Sequence, residues 1–227
     1  MPHVAPLRIQ EAAVDLLLAA VSFVLHLDRH LAEMVADYGI WIYAILFLIV
    51  FAETGLVVTP FLPGDSLLFV AGALAATGGM DPWLLSLVLC VAAVTGNTTN
   101  YWIGRWLGPR VFHWEQSRWF NRRALDQAHA FYEKYGGVTI TVARFLPFVR
   151  TFAPFVAGVA AMSHGLFQMW NLIGAVLWIA LFIGLGYFFG NLAVVRENLA
   201  LIMLAVVVLS FLPLLYAALA ARLKKRA

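Results

Sequence analysis

Apolar residues fall in long blocks, and the blocks differ in how they are broken. Residues 38–53, YGIWIYAILFLIVFAE, are almost unbroken. Residues 54–79 are also apolar but are interrupted by Pro60, Pro63, Gly64, Asp65, Gly72, Gly78 and Gly79, too many breaks for one spanning helix. Two short apolar arms around the Pro63-Gly64 turn fit a re-entrant hairpin that enters and leaves on one side. Such irregular backbone survives at membrane depth only where protein or a watery cavity covers it. Residues 83–107 are long enough to span, since a core of roughly 30 Å needs about 20 residues. Residues 109–136 are polar, with Arg110, Glu115, Arg118, Arg122, Arg123, Asp126, Glu133 and Lys134. Residues 137–163 form a second broken hairpin, with Arg144, Pro147, Arg150, Pro154 and Gly158. Two further spans, 166–189 and 199–220, precede the basic end Arg222-Leu223-Lys224-Lys225-Arg226.

The N-terminal stretch follows another pattern. Glu11, Asp15, Ser22, His26, Arg29 and Glu33 recur at steps of 4, 7, 4, 3 and 4, which is one face of a helix. The stripe favours an amphipathic helix on the membrane interface over a first transmembrane helix with its polar face inward. The acids at 11 and 15 argue against a secretory signal. The expected organisation is an interfacial segment over 1–37, a transmembrane domain over 38–220, and a basic tail over 221–227. The domain divides into repeat one (53–108), a loop (109–136), repeat two (137–190) and a last helix (199–220).

The two hairpins share wording. Phe61-Leu62-Pro63 returns as Phe145-Leu146-Pro147, 84 positions on (145 − 61), and Phe69-Val70-Ala71-Gly72 as Phe155-Val156-Ala157-Gly158, 86 on (155 − 69). Tyr101 and Gly104 stand 86 positions before Tyr187 and Gly190, which extends the match into the spans. Basic residues concentrate in 109–136 and in the tail, so the positive-inside rule puts both in the cytoplasm. The first hairpin then opens outward and the second inward, an inverted repeat of the kind used for alternating access.

Composition agrees with this reading. The 227 residues are 63% hydrophobic and 12% charged, about half the charge of a soluble domain. Mean hydropathy is +0.87. A net charge of +3 is too small to imply nucleic acid, and the single Cys90 excludes a disulfide framework and a Cys-based metal site. No metal-spaced cluster, Gly-rich phosphate loop or G-x-S-x-G element is present, so a non-enzymatic protein without cofactor is expected. The tryptophans at 102, 106, 114, 119, 170 and 178 read as an aromatic belt near span ends, Arg105 as a snorkelling side chain and His164 as an interface residue.

The candidate chemistry lies in four ionisable residues of the hairpin regions: Glu53, Asp65, Arg144 and Arg150. Each costs about 2.5–3.5 kcal/mol at bilayer depth, so each must be paired, hydrated or bound to ligand. Two structural salt bridges are one reading. The other is a site in which Arg144 and Arg150 receive an anion while Glu53 and Asp65 carry protons. Arginine offers a planar fork suited to phosphate oxygens, and a carboxylate at that depth can hold a proton near neutral pH. Pro63, Gly64, Pro147, Pro154 and Gly158 would shape the hairpins, and helix N-termini pointing inward would add positive dipole ends. Asn97 and Asn100, mid-span, would bond hairpin backbone, line the cavity or tie helices together.

Three segments resemble the DedA family, also called the SNARE-associated or VTT domain. They are Glu53-Thr54-Gly55 with Phe61-Leu62-Pro63-Gly64-Asp65-Ser66-Leu67-Leu68, Gly96-Asn97 with Tyr101-Trp102-Ile103-Gly104-Arg105, and Arg144-Phe145-Leu146-Pro147-Phe148-Val149-Arg150-Thr151 with Gly158. The resemblance covers about residues 40–190. It implies an all-α bacterial inner-membrane protein with two opposed re-entrant hairpins, about four transmembrane helices and a cytoplasmic C-terminus. It implies a flippase for a phosphate-headgroup lipid such as undecaprenyl phosphate, driven by the proton motive force, with Glu53 and Asp65 as the essential acids and Arg144 and Arg150 as the essential arginines. A passive scramblase of phospholipids such as phosphatidylethanolamine and a proton-coupled small-anion transporter remain alternatives. The expected partners are a membrane lipid and protons; assembly as a homodimer is left open.

Overall fold

The computed structural model describes residues 27–56, 64–111, 130, 132, 134–190 and 192. The interfacial stripe before residue 27, the Pro60–Pro63 stretch of the first hairpin, most of the basic loop, the last helix and the tail lie outside the described residues. The described residues are helical and contain no strand. Seven helices are labelled here: α1 Leu27–Tyr38, α2 Trp41–Gly55, α3 Gly64–Ala76, α4 Pro82–Val111, α5 Val138–Ala143, α6 Pro147–Val159 and α7 His164–Phe189.

Two of these, over Pro82–Gly108 and His164–Phe189, are long and apolar enough to cross a membrane. They are antiparallel: Trp83 and Tyr187 line one groove, while Trp102 stacks against His164 at the other end. On α7, Leu172, Val176, Leu177, Leu181 and Leu185 face outward. A soluble monomer rarely carries so continuous an apolar surface, whereas lipid accepts it.

The apolar run 38–53 is not one element. Gly39 adopts φ +52 and its N–H donates to Val35 O, which closes α1; α2 then starts afresh at Trp41. With 15 residues, α2 is about 22 Å long, shorter than the hydrocarbon core. After α3, Gly78 at φ +85 turns the chain, and Asp81 Oδ1 accepts the Leu84 N–H to start α4. The Asp81 N–H is itself held by Tyr43 Oη.

The second broken segment has the expected form, α5, a break at Arg144–Leu146, then α6. Leu146 is extended, as a residue before proline must be, and Pro147 opens α6 where no N–H is missed. Pro154 sits inside α6 rather than at its edge, so the Arg150 carbonyl has no helical N–H to accept.

Glycines let the broken arms pack on the spans. A Cβ on Gly72 would collide with the Ile183 carbonyl of α7, and one on Gly186 with the Phe69 carbonyl of α3. A Cβ on Gly158 would collide with the Tyr101 carbonyl of α4, and one on Gly104 with the Phe155 carbonyl of α6. Each arm is therefore seated on the span of the other half. Both arms run outward from the middle of the molecule, α3 along the later part of α7 and α6 along the later part of α4. Since α4 and α7 are antiparallel, the arms point in opposite directions.

These contacts correct the register of the repeat. Arm residues match at 86, as in Gly72 with Gly158 and Phe69 with Phe155. Their span partners match at 82: Tyr101 with Ile183 (183 − 101), Gly104 with Gly186, and Gly108 with Gly190. The apparent match of Tyr101 and Gly104 to Tyr187 and Gly190 is one helical turn out of step with the packing.

Candidate functional site

The arms begin where the charges are. Glu53 is in the last turn of α2, a poor place for an anion beside helix carbonyls. Two neighbours offset this. Its second oxygen lies against the backbone of Gly64 at the start of α3, where any side chain would collide with the carboxylate. Its first oxygen accepts from Arg150 Nη2 at 2.5 Å. Asp65, in the first turn of α3, accepts from Arg150 Nη1 at 2.6 Å and from Trp178 Nε1 at 2.9 Å, both on Oδ1. Arg150 thus joins α2 and α3 to α6.

The four charges do not form two separate acid–arginine pairs. Arg150 takes both carboxylates. Arg144, 3% exposed, makes no ion pair among the described residues; its Nη2 donates to Asn171 Oδ1 at 2.7 Å. The Nε and Nη1 groups of Arg144 are buried with no acceptor among the described residues. Both guanidinium groups stand over the Trp178 ring, with centroid distances of 5.7 Å for Arg144 and 5.5 Å for Arg150.

Trp178 is thus a central member of the site and not part of an interfacial belt. It is the fifteenth residue of α7 and 1% exposed. Counting along the span would have placed it mid-membrane. Asn171 is a second residue the sequence reading passed over, although an amide in the apolar run 166–189 is the same kind of signal as Asn97. Of the other tryptophans, Trp102 and Trp106 are exposed. Trp170 packs against Gly137, where it leaves no room for a side chain.

The amides act as ties between elements. Asn100 donates to both Thr54 O and Thr151 O, joining the end of α2 to the start of α6. Asn97 donates to Asn171 Oδ1 at 3.0 Å and also lines a small cavity with Glu53, Thr54, Arg144, Arg150, Thr151 and Trp178. That cavity holds about 10 Å³, room for one water at most. A phosphate group does not fit, so this conformation is closed. Pro63 lies outside the described residues. Gly158 serves close helix packing on α4 and does not sit at the break. Arg105 donates to Tyr101 Oη and Met162 O just past the end of α6, a favourable place for a cation.

A larger groove of about 570 Å³ lies between α4 and α7, lined by Trp83, Leu87, Cys90, Val176, Ile183 and Phe188 among others. None of its lining residues is charged, so it offers an anion nothing.

The VTT domain family matches residues 62–188. The chain is 54% identical over 202 residues to Protein DedA of Escherichia coli K12, covering 88% of this chain and 92% of that protein. It is 47% identical over 170 residues to the uncharacterized membrane protein ML0287 of Mycobacterium leprae, covering 75% and 76%. It is 38% identical over 152 residues to the inner membrane protein YqjA of Escherichia coli K12, covering 66% and 68%. No solved structure gives a significant match. With the VTT domain matched over more than half of its length and 54% identity across 92% of such a relative, the chain belongs to the DedA family of VTT-domain membrane proteins.

Proposed function

We propose that the protein carries a phosphate-headgroup lipid, with undecaprenyl phosphate the leading candidate, between the leaflets of a bacterial inner membrane, using the proton motive force. The observation that supports this reading most directly is Arg150 held by two carboxylates where two oppositely directed arms begin. An arginine so held is occupied. Protonation of Glu53 and Asp65 would free it, and a phosphate could then replace the carboxylates as its partner. The same event would release the link between the arms, so charge neutralisation and opening are one step. On this reading α3 and α6 are arms of re-entrant hairpins facing opposite sides, and residues 109–136 and the C-terminus are cytoplasmic; assembly as a homodimer is left open.

The test is headgroup translocation in proteoliposomes with and without an imposed pH gradient. A gradient that speeds transport of the phosphate lipid, lost in Arg150→Gln, is the expected result. Equal rates with and without a gradient would replace coupling by passive scrambling. Uptake of a small oxyanion with no lipid movement would replace the lipid as substrate.

A further inference from the structure

Arg144 and Arg150 carry the same charge and stack on the same ring, yet their partners differ in kind. Both terminal nitrogens of Arg150 that make contacts meet carboxylates. Arg144 meets only an amide oxygen. No carboxylate touches it, and two of its three guanidinium nitrogens donate to nothing among the described residues. It is 3% exposed, so bulk water does not reach it.

The residue responsible is Asn171, which is fully buried on α7. Its Oδ1 accepts from Arg144 Nη2 at 2.7 Å and from Asn97 Nδ2 at 3.0 Å. Its Nδ2 donates to Val94 O at 3.0 Å and lies 3.3 Å from Gln168 Oε1. A guanidinium can only donate, and a backbone carbonyl can only accept, so the amide has one possible orientation. Gly174, one turn further on, lets α7 pack closely on α5: a Cβ there would lie 3.1 Å from Thr141 Cα.

We propose that Asn171 is the residue that positions Arg144 without neutralising it, so that the guanidinium keeps its charge for an anion admitted once the closed site opens. The ligand class is a phosphate monoester, whose oxygens match donor groups on a fixed cation. This rests on the transport reading above and divides its labour: Arg150 holds the arms together, while Arg144 waits for the anion. An aspartate at 171 would hold the same guanidinium, and would also cancel its charge. Its second oxygen would face Val94 O and Gln168 Oε1, both acceptors, so the exchange costs stability as well as the uncancelled charge.

The experiment measures binding of farnesyl phosphate and of inorganic phosphate to the full chain in detergent, alongside its melting temperature. The variants are Asn171→Asp, Asn171→Ala, Arg144→Gln and the pairs Asn171→Asp/Arg144→Gln and Asn171→Ala/Arg144→Gln. In the wild type, binding of farnesyl phosphate alone assigns the receptor to a lipid headgroup. Equal competition by inorganic phosphate assigns it to the free anion; the receptor stands in both cases. Asn171→Asp is expected to melt lower, because it loses the donor to Val94 O, and to lose roughly tenfold or more in affinity, the scale of one charged hydrogen bond. Adding either Asn171 change to Arg144→Gln is expected to cost no further affinity, because Asn171 acts through Arg144. Unchanged affinity in both Asn171 variants, or losses that add to that of Arg144→Gln, would overturn the proposal while leaving the transport reading intact. A wild type that binds neither probe would overturn both.

Discussion

The substitution Arg150→Gln tests whether one arginine holds the centre of the molecule together. Its guanidinium bonds Glu53 at 2.5 Å and Asp65 at 2.6 Å, with side chains 2% and 15% exposed. Removing it leaves two like charges without a cation in contact, one of them fully buried. Breaking a single buried pair costs about 3–5 kcal/mol, and here two acceptors are stranded, so the upper part of that range applies. Asp65→Asn is a milder change. It keeps the Trp178 bond and leaves Arg150 with Glu53, and losing one charged hydrogen bond costs about 1.5–3 kcal/mol. For a chain of this size the first variant should melt on the order of 10 °C lower and the second a few degrees lower. Thermal unfolding in detergent, followed by size-exclusion fluorescence, reads both. The decisive variant combines Glu53→Gln, Asp65→Asn and Arg150→Gln. Replacing a complete buried ion set by neutral groups is often close to neutral in stability. The triple variant should therefore regain most of the melting temperature lost in Arg150→Gln while transport stays at background. A triple variant no more stable than Arg150→Gln would refute the idea that mutual charge contacts hold the arms. A triple variant that transports would refute the role of these charges in function.

Exchanging the charges, Asp65→Arg with Arg150→Asp, should not restore transport, because the new aspartate would face Glu53 and the new arginine would meet the Trp178 N–H; proteoliposome rates check this, and full recovery would reduce the pair to a simple salt bridge. Gly186→Ala should destabilise by more than 1 kcal/mol, because its Cβ would meet the Phe69 carbonyl, whereas Gly184→Ala, with open space around it, should be neutral or stabilising by about 0.5–1 kcal/mol. Matched melting curves of these two neighbours separate packing from helix propensity. Asn100→Ala should cost about 1–3 kcal/mol by leaving the Thr54 and Thr151 carbonyls without this donor, and hydrogen exchange at the start of α6 should rise.

The charges and the breaks were legible because both violate the rules of an apolar chain. Asp65 beside Pro63-Gly64, and Arg150 between Pro147 and Pro154, are expensive at depth and so announce themselves. What could not be read was who pairs with whom. Asp65 and Arg150 are 85 positions apart, Glu53 and Arg150 97, and nothing local says that one arginine takes both acids. Trp178 escaped for a related reason. A tryptophan near a span end and one mid-span are the same letter, and only its position in α7, with its N–H directed at Asp65, tells them apart. Gly39 hid within an apolar run because hydropathy does not register a positive φ.

The offset changes from 86 to 82 because Gly72 and Tyr101 are 29 positions apart (101 − 72) and Gly158 and Ile183 are 25 (183 − 158); how the arms can move is set by what they pack on. Here α3 lies on α7 and α6 on α4, each over a track of glycine and carbonyl contacts with no side chain between the backbones. Such a track resists separation, because every glycine gives backbone contact that no side chain could restore. Asp65 and Arg150 are near the inner ends of these two arms, joined to each other. If α3 slides along α7, Asp65 must leave Arg150 or carry it along, and Arg150 is fixed to α6 on the opposite span. Motion of one arm is therefore opposed by the same ion pair that opposes motion of the other. A change that breaks this pair therefore acts on both arms at once.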